Sequence, residues 1–589
     1  MSADGNIAIQ AGLATPTMNT VPLRRADFAS LAEVLDYAAC GVTGANFYAG
    51  GKLDLALPYR TLRTEALELA QRLATLGLKR GARLAIVAET NADFLRFFFA
   101  CQYVGLVPVA LPSTVNLGGH DAYVKKLRGM LQAAGASVAV ASEAFIGFLG
   151  EAVAGLDIAK WGTPAAFAEL PIQNIELQPL GPTEVAYLQF TSGSTGTPKA
   201  AMITEQALMA NLQGSNNHGL DLRDDDRFVS WLPFYHDMGL VGCLLTVMAG
   251  QRSIDYLDTR EFAMRPRRWL ELMSSSKATI AYSPPFGYEM CARRVKPSDI
   301  ASYDLSNWRV AGIGAEPILP EVPARFAELL APAGFDARSF VPSYGMAEAS
   351  LAISFSPLQA GIVVEWIDPA NLAEDLVATP VAAGTGTGFV RCGGPLPGHE
   401  LEIWNDAGTQ LADLHVGRIM VRGPSVMSGY FQQPEKTAEV LAADGWLDTG
   451  DIGYVVDGEV VVTGRHKDMI IVNGRNIWPQ DIERIVERQP ELRSQDASAF
   501  GVPGPDGAEV AAVVVQCNTD DVEIRESLVN RIRGDLLEEL GIACLIELVP
   551  RHTLPRTSSG KLSRSATRVG YLERKAKAQE QAPRAAAAA

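Results

Sequence analysis

The sequence predicts an α/β protein: a large N-terminal domain of parallel α/β sheets with a small antiparallel β subdomain, followed by a small α+β C-terminal domain. Three observations carry this. From about residue 82, short β-branched runs alternate with longer helical patterns, the rhythm of parallel strands joined by crossover helices. After about residue 393 the runs shorten and tight turns separate them. Beyond residue 468 a self-contained pattern the size of a small domain follows, and 589 residues are in any case too many for one hydrophobic core.

Taken in order, residues 83–88 (RLAIVA) read as a strand, 92–104 as a helix, 107–111 as a strand and 137–141 (SVAVA) as another. Strands are expected at 185–190, 278–283, 309–313 and 339–341, several of them running into loops rich in Gly, Ser or Pro. Open α/β sheets bind their ligands at such loops. The runs 399–404, 417–421 and 454–463, the last folded at Asp457-Gly458, predict an antiparallel part closed as a small barrel. In the last domain the clearest helix covers 520–540, with Ile524, Leu528, Ile532, Leu536 and Leu540 at four-residue spacing and Gly541 as C-cap. The Ala, Gln and Lys-rich end, 575–589, is expected to be a disordered tail.

Composition narrows the function classes. Apolar residues make up 48% and charged residues 20%, the balance of an ordinary globular chain. A net charge of -16 argues against non-specific binding to nucleic acid or anionic lipid, while leaving room for a local phosphate pocket. Seven scattered cysteines, none in a C-x-x-C pair, support neither a disulfide framework nor a thiolate zinc site. Residues 1–24 lack the pattern of a secretory signal, and the most apolar run, 94–112, is broken by Arg96, Gln102 and two prolines. The expectation is a cytoplasmic protein with no transmembrane segment and no nucleic-acid partner.

The segment richest in chemistry is 187–199, YLQFTSGSTGTPK, where a strand enters a loop of glycines and hydroxyls closed by a lysine. Glycine lets the backbone approach an anion, and hydroxyl and N–H groups donate to phosphate oxygens. The spacing of Gly193, Gly196 and Lys199 is not that of a Walker loop. Standing alone, the segment leaves a flexible polar turn as a lesser alternative to a phosphate cradle. Four further segments follow in order: 344–348 (YGMAE), 446–451 (WLDTGD), 464–468 (GRHKD) and 555–561 (PRTSSGK).

On these five segments the chain, over about residues 53–568, resembles the adenylate-forming enzymes, which include acyl-CoA synthetases, luciferases and peptide-synthetase adenylation domains. The resemblance implies attack of a carboxylate oxygen on the α-phosphorus of ATP, giving an acyl-adenylate and pyrophosphate. It assigns Thr191, Ser192, Gly193, Ser194, Thr195, Gly196 and Lys199 to the β- and γ-phosphates, and Glu348 with Thr191 to Mg2+. Asp451 is expected to take the ribose hydroxyls; Gly314, Ala315 and Glu316, with Ser343, Tyr344, Gly345 and Met346, form the adenine slot. Lys561 reaches the α-phosphate and the carboxylate, Arg465 contacts ribose or phosphate, and Lys467 is the hinge on which the small domain swings. The implied organisation is an adenylation domain over 1–464, a hinge at 465–468 and a mobile C-terminal domain over 469–574.

Within that family, 230–240 (SWLPFYHDMGL), 312–318 (GIGAEPI), 342–352 (PSYGMAEASLA) and 473–483 (NGRNIWPQDIE) look like the fatty acyl-AMP ligases, with His236 guarding the carboxylate pocket. The long stretch within 351–391 is similar to that subfamily's insertion, which is thought to limit the domain movement that CoA needs. The implied partners are therefore a fatty acid and an acyl carrier protein or carrier domain of a lipid, polyketide or lipopeptide synthase. Ala200 and Trp478 depart from the commoner glycine and tyrosine. Phe286, Met290, Met346 and Ile353 are candidates for an acyl tunnel, although core packing explains them equally well. Three other readings stand beside this one: a fatty acyl-CoA synthetase, an amino- or aryl-acid adenylating enzyme, and a non-catalytic acyl- or nucleotide-binding protein.

Overall fold

The computed structural model describes residues 21–114, 119–191, 198–472, 475–493, 495–504, 509–557 and 561–586. Two sheets form the large domain. The first has six strands in the order Lys160–Gly162, Ala136–Val140, Arg83–Ala88, Val107–Pro112, Val185–Thr191, Lys199–Thr204, all parallel except the last pair. The second has nine, and its centre is a parallel run of Phe340–Gly345, Val310–Gly314, Ile280–Ser283, Arg227–Ser230, Ser253–Leu257 and Gly44–Ala49. Val107–Pro112 and Val310–Gly314 are buried along their whole length, as strands covered on both faces must be. Sequence reasoning had expected the strands at 83–88, 107–112, 136–140, 185–191, 280–283, 310–314 and 340–345, but not Lys160–Gly162, Lys199–Thr204, Arg227–Ser230 or Ser253–Leu257, nor the N-terminal pair Gly44–Ala49 and Lys52–Pro58 that extends the second sheet.

Aromatic side chains fill the space under the second sheet. Trp269 meets Trp308 edge to face at 5.2 Å, and Tyr288 and Phe326 do the same at 5.0 Å. A buried ion pair ties neighbouring strands: Arg227 grips Asp255 through two hydrogen bonds of 2.7 Å.

The antiparallel part is an open four-stranded sheet of Glu400–Trp404, Gly417–Arg422, Leu447–Val456 and Glu459–Arg465, not the expected barrel. The segment 351–391 covers a face of this sheet: Ile367, Leu372 and Ala378 pack in one cluster with Ile452, Tyr454 and Val461. The hairpin at Asp457 (φ +52°) and Gly458 (φ +77°) takes the left-handed pair of conformations that the Asp-Gly signal foretold.

The C-terminal domain sets three strands, Ala497–Pro503, Glu509–Gln516 and Cys544–Val549, against helices Pro479–Glu487 and Val522–Leu540. Asp521 caps the second helix by accepting from the amides of Glu523 and Ile524, and Gly541 ends it at φ +65°. Leu528, Ile532 and Leu536 are buried, but Ile524, counted in the apolar stripe, is exposed. Of the expected tail, residues 575–586 continue the helix Arg564–Ala586, in keeping with the helix-forming tendency of Ala, Gln, Lys and Glu, and 587–589 lie outside the described residues. Among the described residues no helix is long and apolar enough to cross a membrane.

One core group titrates in the neutral range. Glu205 is fully buried, accepts from the Leu31 amide at 2.9 Å, and burial pushes its carboxyl up to about 8. The folded chain thus binds this proton more tightly than the unfolded chain, so stability falls as pH rises from about 4.5 toward 8, by about 1.4 kcal/mol per unit within that window. Glu205→Gln should flatten this dependence, leaving the variant the more stable protein at pH 8 when denaturant unfolding is followed at both ends of the window.

Candidate active site

The candidate residues converge where parallel strands end. Strands Val185–Thr191, Val310–Gly314 and Phe340–Gly345 finish at Thr191, Gly314 and Gly345. A side chain on Gly314 would stand 2.4 Å from the Ser343 carbonyl oxygen, and one on Gly345 would strike the Leu351 carbonyl, so both strands need glycine to pack this closely. Ala315, the next residue, turns out of the sheet at φ +67°. Its carbonyl accepts from Lys561 Nζ at 2.5 Å, and this bond brings the C-terminal domain onto the ledge of strand ends.

Beside that contact lies a cavity of about 220 Å³. Trp231, His236, Phe262, Phe286 and Met290 wall it, and Arg556, Thr557 and Lys561 from the C-terminal domain close it. The candidates Phe286 and Met290 are therefore lining residues. Ile353 lies in the core, and Met346 opens the turn that holds Glu348. His236 Nδ1 is 2.7 Å from Asp237 Oδ1. Burial opposes charge on Asp237, yet His236 and Lys561 outweigh it and hold the carboxyl below its usual range. Glu316 is the reverse case: burial raises it, against the pull of Lys561, Arg556 and His236.

A second group is built on Asp451, buried in the strand Leu447–Val456. Its Oδ1 is 2.9 Å from Arg465 Nε, and the Tyr344 hydroxyl donates to its Oδ2 at 2.8 Å. Asp451 and Arg465 face each other in the hairpin register, which is how residues fourteen apart in sequence come to pair. A third group centres on Glu348 in the turn Ala347–Ala349: it is buried, burial raises its carboxyl, and it accepts from the Tyr430 hydroxyl at 2.7 Å. Lys199 starts the strand after the glycine loop, opposite Thr191, with Nζ 4.9 Å from the Tyr430 ring centroid. Ser192, Gly193, Ser194, Thr195 and Gly196 lie outside the described residues.

Lys467 occupies the short turn His466–Asp468 between the domains, where burial and Arg465 lower its pKa. Next to it Arg564, three residues beyond Lys561, grips Glu483 through bonds of 2.8 and 2.6 Å and approaches Asp468 at 3.5 Å. Neither Tyr430 nor Arg564 stood out in the sequence. Tyr430 follows a glycine in an ordinary strand-to-turn passage, and only contact with residues 82 and 231 positions away gives it meaning.

Residues 48–431 match the AMP-binding enzyme family. A Caulobacter vibrioides protein provisionally named acyl-CoA synthetase is 46% identical over 564 residues, 95% of this chain and 98% of that one. The medium-chain-fatty-acid–[acyl-carrier-protein] ligase JamA of Moorena producens is 31% identical over 94% of this chain and 96% of its own. A chain solved in a study of fatty acyl-adenylate ligases from E. coli and L. pneumophila superposes with a TM-score of 0.90 at 45% identity, over 94% of this chain and 100% of that one.

The Arg564 brace is open to direct test. Glu483→Ala leaves a largely buried guanidinium without its bidentate partner, and a bond to a charged group is worth about 1.5–3 kcal/mol. Amide exchange should quicken at Thr557 and Ser563, whose N–H groups bond Lys561 and Pro555, while exchange in the large domain stays unchanged.

Proposed function

The chain belongs to the AMP-binding enzyme family, as a ligase that uses ATP to adenylate a fatty acid, and on that footing we propose that it hands the acyl group to the phosphopantetheine thiol of an acyl carrier protein. One observation carries the choice of acceptor. The inserted segment reaches past the antiparallel sheet to the C-terminal domain: Trp478 and Met469 pack in the cluster of Ile367, Leu372 and Ala378, Asn476 Nδ2 donates to the Ala373 carbonyl at 3.0 Å, and Arg484 reaches Thr387 Oγ1 at 3.4 Å. A small domain held in this way is hindered from the large rotation that a free CoA thiol would require. JamA, a relative named for transfer to a carrier protein, supports the same choice. The name of the Caulobacter relative favours a second reading, an acyl-CoA synthetase.

In the first half-reaction a fatty acid lies in the cavity with its tail against Phe286 and Met290 and its carboxylate toward His236 and Lys561. A carboxylate oxygen attacks the α-phosphorus of ATP; the P–O bond to the β-phosphate breaks, and pyrophosphate departs with the electron pair. Lys561 stabilises the charge that grows on the α-phosphate oxygens. The glycine loop and Lys199 hold the outer phosphates. Asp451 takes the ribose hydroxyls, since each carboxylate oxygen keeps a lone pair free beyond its bond to Arg465 or Tyr344. In the second half-reaction the carrier thiolate attacks the acyl carbonyl carbon, the mixed anhydride bond breaks, and AMP leaves.

The site suits Mg2+. Glu348 is a buried carboxylate that burial disfavours as an anion, and a nearby divalent cation would relieve this. Among the described residues no group of three His, Cys, Asp or Glu could hold a metal, so the ion would take its remaining ligands from phosphates and water, as Mg2+ prefers. Bound there, Mg2+ neutralises phosphate charge.

The test follows radiolabelled fatty acid with ATP and Mg2+, in three arms: no acceptor, CoA, and a phosphopantetheinylated carrier protein. Acyl-adenylate should persist with CoA and be consumed by the carrier; rapid acyl-CoA formation would overturn the acceptor. Lys561→Ala should cut acyl-adenylate formation by about 10²-fold or more, with fatty-acid and ATP binding largely retained.

A further inference from the structure

Tyr430 stands between two charged groups that the proposed reaction needs, and the mechanism above gives it no part. Its hydroxyl donates to Glu348 Oε1 at 2.7 Å, while the Lys199 ammonium lies 4.9 Å from the centre of its ring. A phenol suits both neighbours at once, because its proton meets an acceptor-only carboxylate and its π face attracts a cation. The adjoining backbone braces the same two elements. Met427 N donates to the Glu348 carbonyl at 2.8 Å, Met202 N to the Gly429 carbonyl at 2.9 Å, and Phe431 N to the Ala200 carbonyl at 2.8 Å. Gln433 Nε2 holds the Pro198 carbonyl, at the exit of the glycine loop, at 3.1 Å. The segment 427–433 thus staples the strand Lys199–Thr204 to the turn Ala347–Ala349, and Tyr430 is the side chain at the centre of the staple.

We propose that Tyr430 is a positioning residue that fixes Glu348 relative to Lys199, so that the divalent cation and the polyphosphate of ATP are captured as one unit. The inference rests on the reading of Glu348 as a metal ligand and of Lys199 as a phosphate contact. A hydrogen-bond partner that orients a ligating carboxylate is typically worth 10–100-fold in metal affinity. Tyr430 acts by orientation alone and touches no reacting atom.

Two variants separate the hydroxyl from the ring. ATP binding is measured by calorimetry in EDTA and in excess Mg2+, and Mn2+ binding to the ATP-loaded protein by electron paramagnetic resonance, with thermal unfolding recorded for each variant. Tyr430→Phe keeps the ring; it should bind metal-free ATP like the parent but lose about 10-fold of the tightening that Mg2+ confers, with Mn2+ affinity falling equally. Tyr430→Leu should in addition weaken metal-free ATP binding severalfold, because Lys199 loses its aromatic face. If Tyr430→Phe keeps the full tightening while Glu348→Gln loses it, the proposal is overturned and the metal reading stands. If Glu348→Gln also keeps it, the reading fails and takes the proposal with it. Equal losses with and without metal in Tyr430→Phe would reduce the residue to a packing role.

Discussion

A lysine ammonium must reach a backbone carbonyl 246 residues away for this site to exist as one object. The bond from Lys561 to Ala315 joins a small domain to the ledge of strand ends on a large one, and the rest of the site is arranged so that the bond can form. Ala315 leaves its strand with φ +67°, a conformation that a non-glycine residue holds only when its surroundings impose it. The chain beyond Lys561 is anchored through Arg564 to the helix Pro479–Glu487 and toward Asp468 in the turn His466–Asp468. Asp237, Glu316 and the cavity all feel the ammonium, by charge or by contact.

Much of this was legible before any coordinates. Short-range signals translated directly: the Asp457-Gly458 hairpin, the capped helix ending at Gly541, and the strand that delivers Thr191. The residues Asp451, Arg465, Glu348 and Lys561 stand out because they sit in segments that follow one family's order, and each has a close partner in the fold. What failed were features decided by distant partners. The antiparallel part looked like a barrel because nothing local announces that Ile367, Leu372 and Ala378 will cover its face. Tyr430 and Arg564 carried no local signal, for each is defined by groups that only the fold brings near.

The segment 351–391 touches both the antiparallel sheet and the C-terminal domain. Its hairpin, Val364–Ile367 with Thr387–Val390, and the helix Pro369–Asp375 make one layer on the antiparallel sheet, so most of its apolar surface is spent within the large domain. Contacts through Met469, Arg475, Asn476, Trp478 and Arg484 cross to the other side. On the proposed function, contacts of this number would restrain the C-terminal domain without fixing it, since each contributes on the order of 1 kcal/mol.

The cavity has walls from one domain and a ceiling of Arg556, Thr557 and Lys561 from the other. On the proposed function, an acyl chain seated there would be enclosed from both sides, so its escape would require Arg556, Thr557 and Lys561 to part from the walls. A reactive anhydride held under such a cover would be shielded from water until they part. Retention and protection of the intermediate would then depend on the same contact, the ceiling of Arg556, Thr557 and Lys561 over the walls.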